Sequence, residues 1–228
     1  MPDSILLTSA DGFQFPAYVA RPAGAARGAI IVVQEIFGVN SHIRAVADGY
    51  AAAGYLAVAP DCFHRVKPGV ELGYSPEDIQ AGIALKAQVE ALPSPGVMPD
   101  LQAAVDHAAA GGLRVGMVGY CWGGLLTWRS AGLLRSLAAA APYYGGGMTV
   151  GAERTRVPQC PVQCHFGAQD HAIAMDTVEA FRSAQPAVEV LVYDAQHGFN
   201  CDQRGSWDAA AAALARERAL AFFARHVG

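Results

Sequence analysis

The sequence predicts an α/β chain: a mostly parallel sheet with helices on both faces and an antiparallel hairpin at its N-terminal edge. Three observations predict it. Short apolar runs rich in β-branched residues alternate with longer stretches whose apolar residues recur at helical spacing. The runs at 29–33, 55–59, 115–119, 162–166 and 188–193 each stop at glycine or polar residues, as buried parallel strands do. Between them, 41–53, 99–110, 172–184 and 207–226 carry the helical spacing, with Ser41 and Asp170 as candidate N-caps.

Upstream, the runs 5–7 and 13–19 flank Asp11-Gly12, a turn pair that joins antiparallel strands. The stretch 63–96 has Pro68, Pro76, Pro93 and Pro95 around a helical pattern over 77–91, and reads as an excursion over the functional end of the sheet. Tyr143, Tyr144 and the glycines 145–147 read as a sixth parallel strand running into a loop. Strand ends of such a sheet are where ligands bind, so function is expected on these loops.

With 228 residues, 53% of them hydrophobic and 16% charged, the chain is expected to form one domain, 1–228, around one core. The net charge of −4, without any long run of one sign, argues against nucleic acid and against an anionic membrane surface. No apolar run reaches spanning length. Met1-Pro2-Asp3-Ser4 does not begin a secretory leader, and five irregularly spaced cysteines do not make a disulfide framework. A cytoplasmic protein with reduced thiols is expected, and a monomer.

Gly119-Tyr-Cys-Trp-Gly123 stands between a buried strand and a helical pattern. This is the context in which a nucleophile flanked by glycines two residues away forms a sharp strand-to-helix elbow. The glycines remove side chains that would collide across the turn. The backbone N–H of Trp122 then faces the space beside the sulfur of Cys121, and the helix N-terminus favours negative charge there. The competing reading makes Cys121 a small buried core residue in a tight turn. No serine occupies a comparable setting.

A thiol nucleophile needs an imidazole, and the imidazole needs an acceptor. Asp170 follows one strand end through Gly167-Ala-Gln, and His197 follows the next through Asp194-Ala-Gln. The order Cys121, Asp170, His197 is the nucleophile, acid, histidine order of the α/β-hydrolase fold. His171 adjoins Asp170 and reads as structural or wall-forming. His42, His107 and His226 lie in helical patterns, His165 in a strand and His64 in the excursion.

These residues resemble the dienelactone hydrolase family, carboxymethylenebutenolidase-like enzymes. Gln34-Glu-Ile-Phe-Gly38, Gly119-Tyr-Cys-Trp-Gly-Gly124, Gly167-Ala-Gln-Asp-His171 and His197-Gly-Phe199 carry the likeness, in family order over nearly the whole chain. The resemblance implies hydrolysis of an ester or lactone through Cys121, His197 and Asp170, with a thiol-ester intermediate and no cofactor. It also implies that Glu35 restrains the resting thiol and that the Ile36 N–H joins that of Trp122 in the oxyanion hole. Phe37, Tyr144 and Phe199 are expected to line the substrate pocket, although sheet packing explains Tyr144 nearly as well.

Two departures bear on substrate. The family's pair of carboxylate-binding arginines is not matched at 76–80 or at 200–202, and Arg204 and Arg65 are the candidates to replace it. A bidentate clamp does not transfer automatically to a shifted position. Cys160 and Cys164, four residues apart, and Cys201, four beyond His197, do not complete a tetrahedral set by spacing, so no metal is expected. The rival from another class is a binding protein that senses small molecules or oxidants through Cys121 without turnover.

Overall fold

The computed structural model describes residues 3–228. Eight strands form one sheet: β1 (Asp3–Thr8), β2 (Gln14–Ala20), β3 (Ala29–Val33), β4 (Leu56–Pro60), β5 (Val115–Tyr120), β6 (Leu137–Tyr143), β7 (Gln163–Gly167) and β8 (Glu189–Tyr193). Their spatial order is β1-β2-β4-β3-β5-β6-β7-β8. The β1–β2 hairpin is antiparallel, β2 joins β4 antiparallel, and every pairing from β4 through β3 to β8 is parallel.

Every side chain of β3 and β5 is buried, so the centre of the sheet is covered on both faces. On one side α1 (Ser41–Ala52) lies against α6 (Ala209–His226), where Tyr50 meets Phe223 edge-on and Arg216 donates to Gly49 O. α3 (Met98–Ala109) packs with α4 (Trp122–Leu133), and α5 (Met175–Ala184) joins α4 through Phe181 on Trp128. α2 (Pro76–Glu90) belongs to the excursion, and its Ser75–Asp78 capping box fixes its start.

The chain leaves β3 toward β4 on one side and returns to β5 on the other. Such a reversal opens a crevice at the carboxyl ends of the two strands. The loop after β3 carries Glu35, and the turn after β5 carries Cys121.

The elements follow the expected pattern, with differences at their ends. Asn40, not Ser41, caps α1: its side chain accepts from Ile43 N. Asp170 does not cap a helix. Its Oδ1 accepts from Ala172 N in a turn, and α5 begins only at Met175. Asp208 caps α6, which starts at Ala209 rather than 207. A 3₁₀ turn at Glu153–Thr155 was not foreseen. No helix among the described residues is long and apolar enough to cross a membrane.

Candidate active site

β5 ends at Tyr120 and α4 begins at Trp122, so Cys121 alone makes the turn. It does so at φ 54°, a left-handed value that surrounding structure must impose on an L-residue. Two glycines permit it. A Cβ on Gly119 would strike Gly123 O and Thr127 Oγ1, and one on Gly123 would strike the carbonyls of Val33 and Gln34. The start of α4 therefore lies directly against the loop that carries Glu35. Cys121 is partly exposed, whereas Cys62, Cys164 and Cys201 are buried.

Trp122 is held from outside the turn. Its indole stacks on Phe63 at 5.1 Å, and its Nε1 donates to Glu90 Oε1 at 3.2 Å. The excursion thus clamps the residue whose amide opens α4, and the first amides of a helix have no partner within it.

His197 Nδ1 lies 2.7 Å from Asp170 Oδ2; the carboxylate side chain is 0% exposed and the imidazole 21%. A buried carboxylate on Nδ1 keeps the proton there and leaves Nε2 for other work. Cys121 is the other partner of the ring. Burial opposes the imidazolium, but the charge of Cys121 and the hydrogen bonds the ring donates to Asp170 and Cys121 outweigh it, and His197 is pushed up to about 10.

Glu35 is fully buried and holds two partners: Arg204 Nη1 donates to Oε1 at 3.2 Å, and Tyr74 Oη donates to Oε2 at 3.3 Å. Asn40 donates to the Tyr74 oxygen at 3.1 Å and to Leu72 O at 3.0 Å, which ties the excursion to the loop after β3. Burial and the charge of Glu35 raise the Tyr74 phenol far above its ordinary range, so it remains a donor. Burial opposes the charge on Arg204, yet Glu35 and Cys121 raise it. The guanidinium lies where a side chain on Gly198 would be, and Gly198 has a φ of 78°. Glycine is required there twice over.

Tyr144, at φ 36°, leaves β6 beside the imidazole of His197, with ring centroids 5.0 Å apart. Its hydroxyl is buried without a hydrogen-bond partner. Phe37 packs edge-on against Tyr74 at 4.6 Å, and Phe199 packs among Tyr143, Tyr144 and Tyr193. Both phenylalanines are buried and back the site rather than face open space. Ile36 is buried in the same loop, and its carbonyl presses on Gly82 of α2.

The structure thus gathers Glu35, Cys121, Tyr144, Asp170 and His197, each just beyond a parallel strand. It does not bring Arg65 to them. Arg65 pairs with Asp100 at 2.6 Å and with Asp11 at 2.8 Å, bracing the hairpin against α3. Of the two candidate arginines only Arg204 stands at the site. His171 is exposed. His165 is stacked on Tyr143 at 4.0 Å and bonded to Tyr193, and burial pulls it down to about 3. Tyr74 was missed by sequence reasoning; the one signal was its place in the excursion.

The chain matches the Dienelactone hydrolase family over residues 15–227. A Synechocystis protein provisionally named carboxymethylenebutenolidase is 37% identical over 228 residues, covering 92% of this chain and 91% of that one. The carboxymethylenebutenolidase of Pseudomonas putida is 34% identical over 230 residues, covering 97% and 96%. Among solved structures, a Klebsiella pneumoniae protein provisionally named dienelactone hydrolase gives a TM-score of 0.81 at 34% identity, covering 98% of this chain and 100% of that one. Matched in fold and over nearly its whole length, the chain belongs to the dienelactone hydrolase family and is a hydrolase of esters or lactones.

Proposed function

We propose that Cys121 attacks the carbonyl of a small ester or lactone as a thiolate paired with the His197 imidazolium. The observation that carries this reading is the alignment of Cys121, His197 and Asp170, with the imidazole bonded to both neighbours. Asp170 fixes the ring and steadies its charge. The backbone N–H groups of Trp122 and Ile36 receive the oxyanion, each such donor being worth about 3 kcal/mol of barrier. Collapse expels the alkoxide or enolate, which takes the proton of His197, and leaves a thiol ester on Cys121. Water, deprotonated by His197, then releases the acid.

To Glu35 we assign, as the family likeness implies, the restraint of the sulfur between turnovers; its two oxygens are held by Arg204 and Tyr74, and Arg204 is the counter-charge to this buried carboxylate. An acidic substrate competes with Glu35 for this single guanidinium. Because Arg65 is committed to Asp100 and Asp11, it does not join Arg204 in a clamp, which favours neutral or open-chain esters alongside lactones.

The test is turnover of aryl esters and enol lactones, charged and neutral, by the wild type and by Cys121→Ala. Loss of kcat by roughly 10⁴-fold or more is expected, with a substrate-derived acyl group on Cys121 visible by mass spectrometry in the wild type. Unaltered turnover in the variant would end the reading.

A further inference from the structure

Cys201 and His42 take no part in the chemistry above, yet both reach Glu35. The three come from the loop after β8, the first turn of α1 and the loop after β3. Among the described residues they are the one set of three metal-ligating side chains whose donor atoms all lie within 4.8 Å of one another, and all three are buried. A tetrahedral zinc site with bonds of about 2.0–2.3 Å spaces its donors roughly 3.3–3.8 Å apart. The donors therefore have to close by up to about 1.0–1.5 Å for one ion to bind all three.

A second observation does not depend on proximity. The His42 side chain is 4% exposed and its Nδ1 lies 3.2 Å from Asp202 Oδ1. Its Nε2 is buried and has no hydrogen-bond partner. An unpaired buried nitrogen is costly, and native proteins seldom leave one without a reason. The carboxylate on Nδ1 holds the proton on that side and leaves the Nε2 lone pair free, the same outer support that orients ligating histidines at zinc centres. A cavity of about 330 Å³ lined by His42, Asp202, Trp207 and Arg216 gives an approach to this ring.

One thiolate, one imidazole and one carboxylate select a soft or borderline ion over magnesium or calcium. Binding breaks the S–H bond of Cys201, sends the proton to water and forms a metal–sulfur bond without change of oxidation state. Glu35 has Arg204 at 3.2 Å, so an ion seated there takes over the carboxylate's charge and repels the guanidinium. We propose that Glu35, His42 and Cys201 form a site for one zinc- or cadmium-class ion, and that its occupation inhibits the hydrolase by withdrawing Glu35. The inhibitory half rests on the role given to Glu35 above; the binding half does not.

The test is titration of Cd²⁺ into full-length Cys121→Ala protein, read by the ultraviolet thiolate-to-cadmium band. One equivalent with this band is expected, lost on adding Cys201→Ala and weakened about 10–100-fold on adding Asp202→Asn. His42→Gln, which leaves every remaining cysteine in place, is expected to weaken binding at least as much. No band in Cys121→Ala, or an equal band after Cys201→Ala, overturns the site. In the wild type, Zn²⁺ is expected to inhibit ester hydrolysis, and His42→Gln to raise the half-inhibiting concentration roughly tenfold or more. Equal inhibition of both proteins overturns the inhibitory half and assigns the effect to Cys121 and His197. The cadmium band needs no turnover, so it stands or falls apart from the catalytic reading.

Discussion

Two buried carboxylates sit at this site, and each faces one partly exposed cation. Asp170 and Glu35 are both 0% exposed; His197 is 21% exposed and Arg204 19%. The difference lies in the partner. An imidazole can give up its proton once the charge that holds it is consumed, whereas a guanidinium cannot. The shorter bond, 2.7 Å against 3.2 Å, goes with the pair that can move a proton. On the mechanism proposed above, one pair serves proton transfer, whereas the other holds a buried carboxylate against a fixed cation.

Asp170→Asn is the severest way to break the first pair. The amide leaves the fold in place but favours the wrong tautomer of His197, and kcat is expected to fall about 10⁴-fold. A loss under tenfold, measured by steady-state kinetics, would show that Asp170 does not orient the ring. Breaking the second pair is expected to act on stability first. Arg204→Gln leaves Glu35 buried without a counter-charge and should cost about 3–5 kcal/mol in urea unfolding, with much of that recovered in Arg204→Gln/Glu35→Gln. Additive losses in the double variant would mean that the two side chains do not act as a pair.

The smallest effect sharpens the contrast through pH. The folded-state value of His197 is raised to about 10, so the stabilisation its imidazolium gives is complete below about pH 6.5 and is lost as pH rises through about 10. The largest contribution holding that proton is the charge of Cys121. An NMR titration should find His197 protonated well above neutrality in the wild type and titrating at lower pH in Cys121→Ala. Identical titrations would separate the ring from the sulfur. Arg204 has no corresponding transition in this range.

The parts of the site differ in how far the sequence exposed them. Cys121 was legible because an elbow is local: strand, turn and helix are consecutive, and Gly119 and Gly123 record their close approach. Asp170 and His197 were legible from order, since each follows a strand end by a short loop. Glu35 entered through resemblance alone. Tyr74 was not found, and the pairing of Arg204 with Glu35 was not foreseen, because those contacts span 39 and 169 residues and no periodicity encodes them. The caps failed for a different reason. Asn40 and Ser41 are both good capping residues, and one residue of helical phase decides between them. Asp170 spends one oxygen on Ala172 and the other on His197, so α5 has to begin later.

The placement of each candidate residue immediately after its own strand has an architectural consequence. The sheet fixes where five separate segments start, while the chain beyond each starting point runs free of that constraint. The excursion between β4 and α3 is a further outer part, and it touches the inner set through Tyr74 on Glu35, Phe63 and Glu90 on Trp122, and Gly82 against Ile36. On the mechanism proposed above, reshaping that cover while retaining those contacts is expected to alter which molecules enter without shifting the reacting atoms. On that mechanism, chemistry and selectivity are carried by separable pieces of one polypeptide.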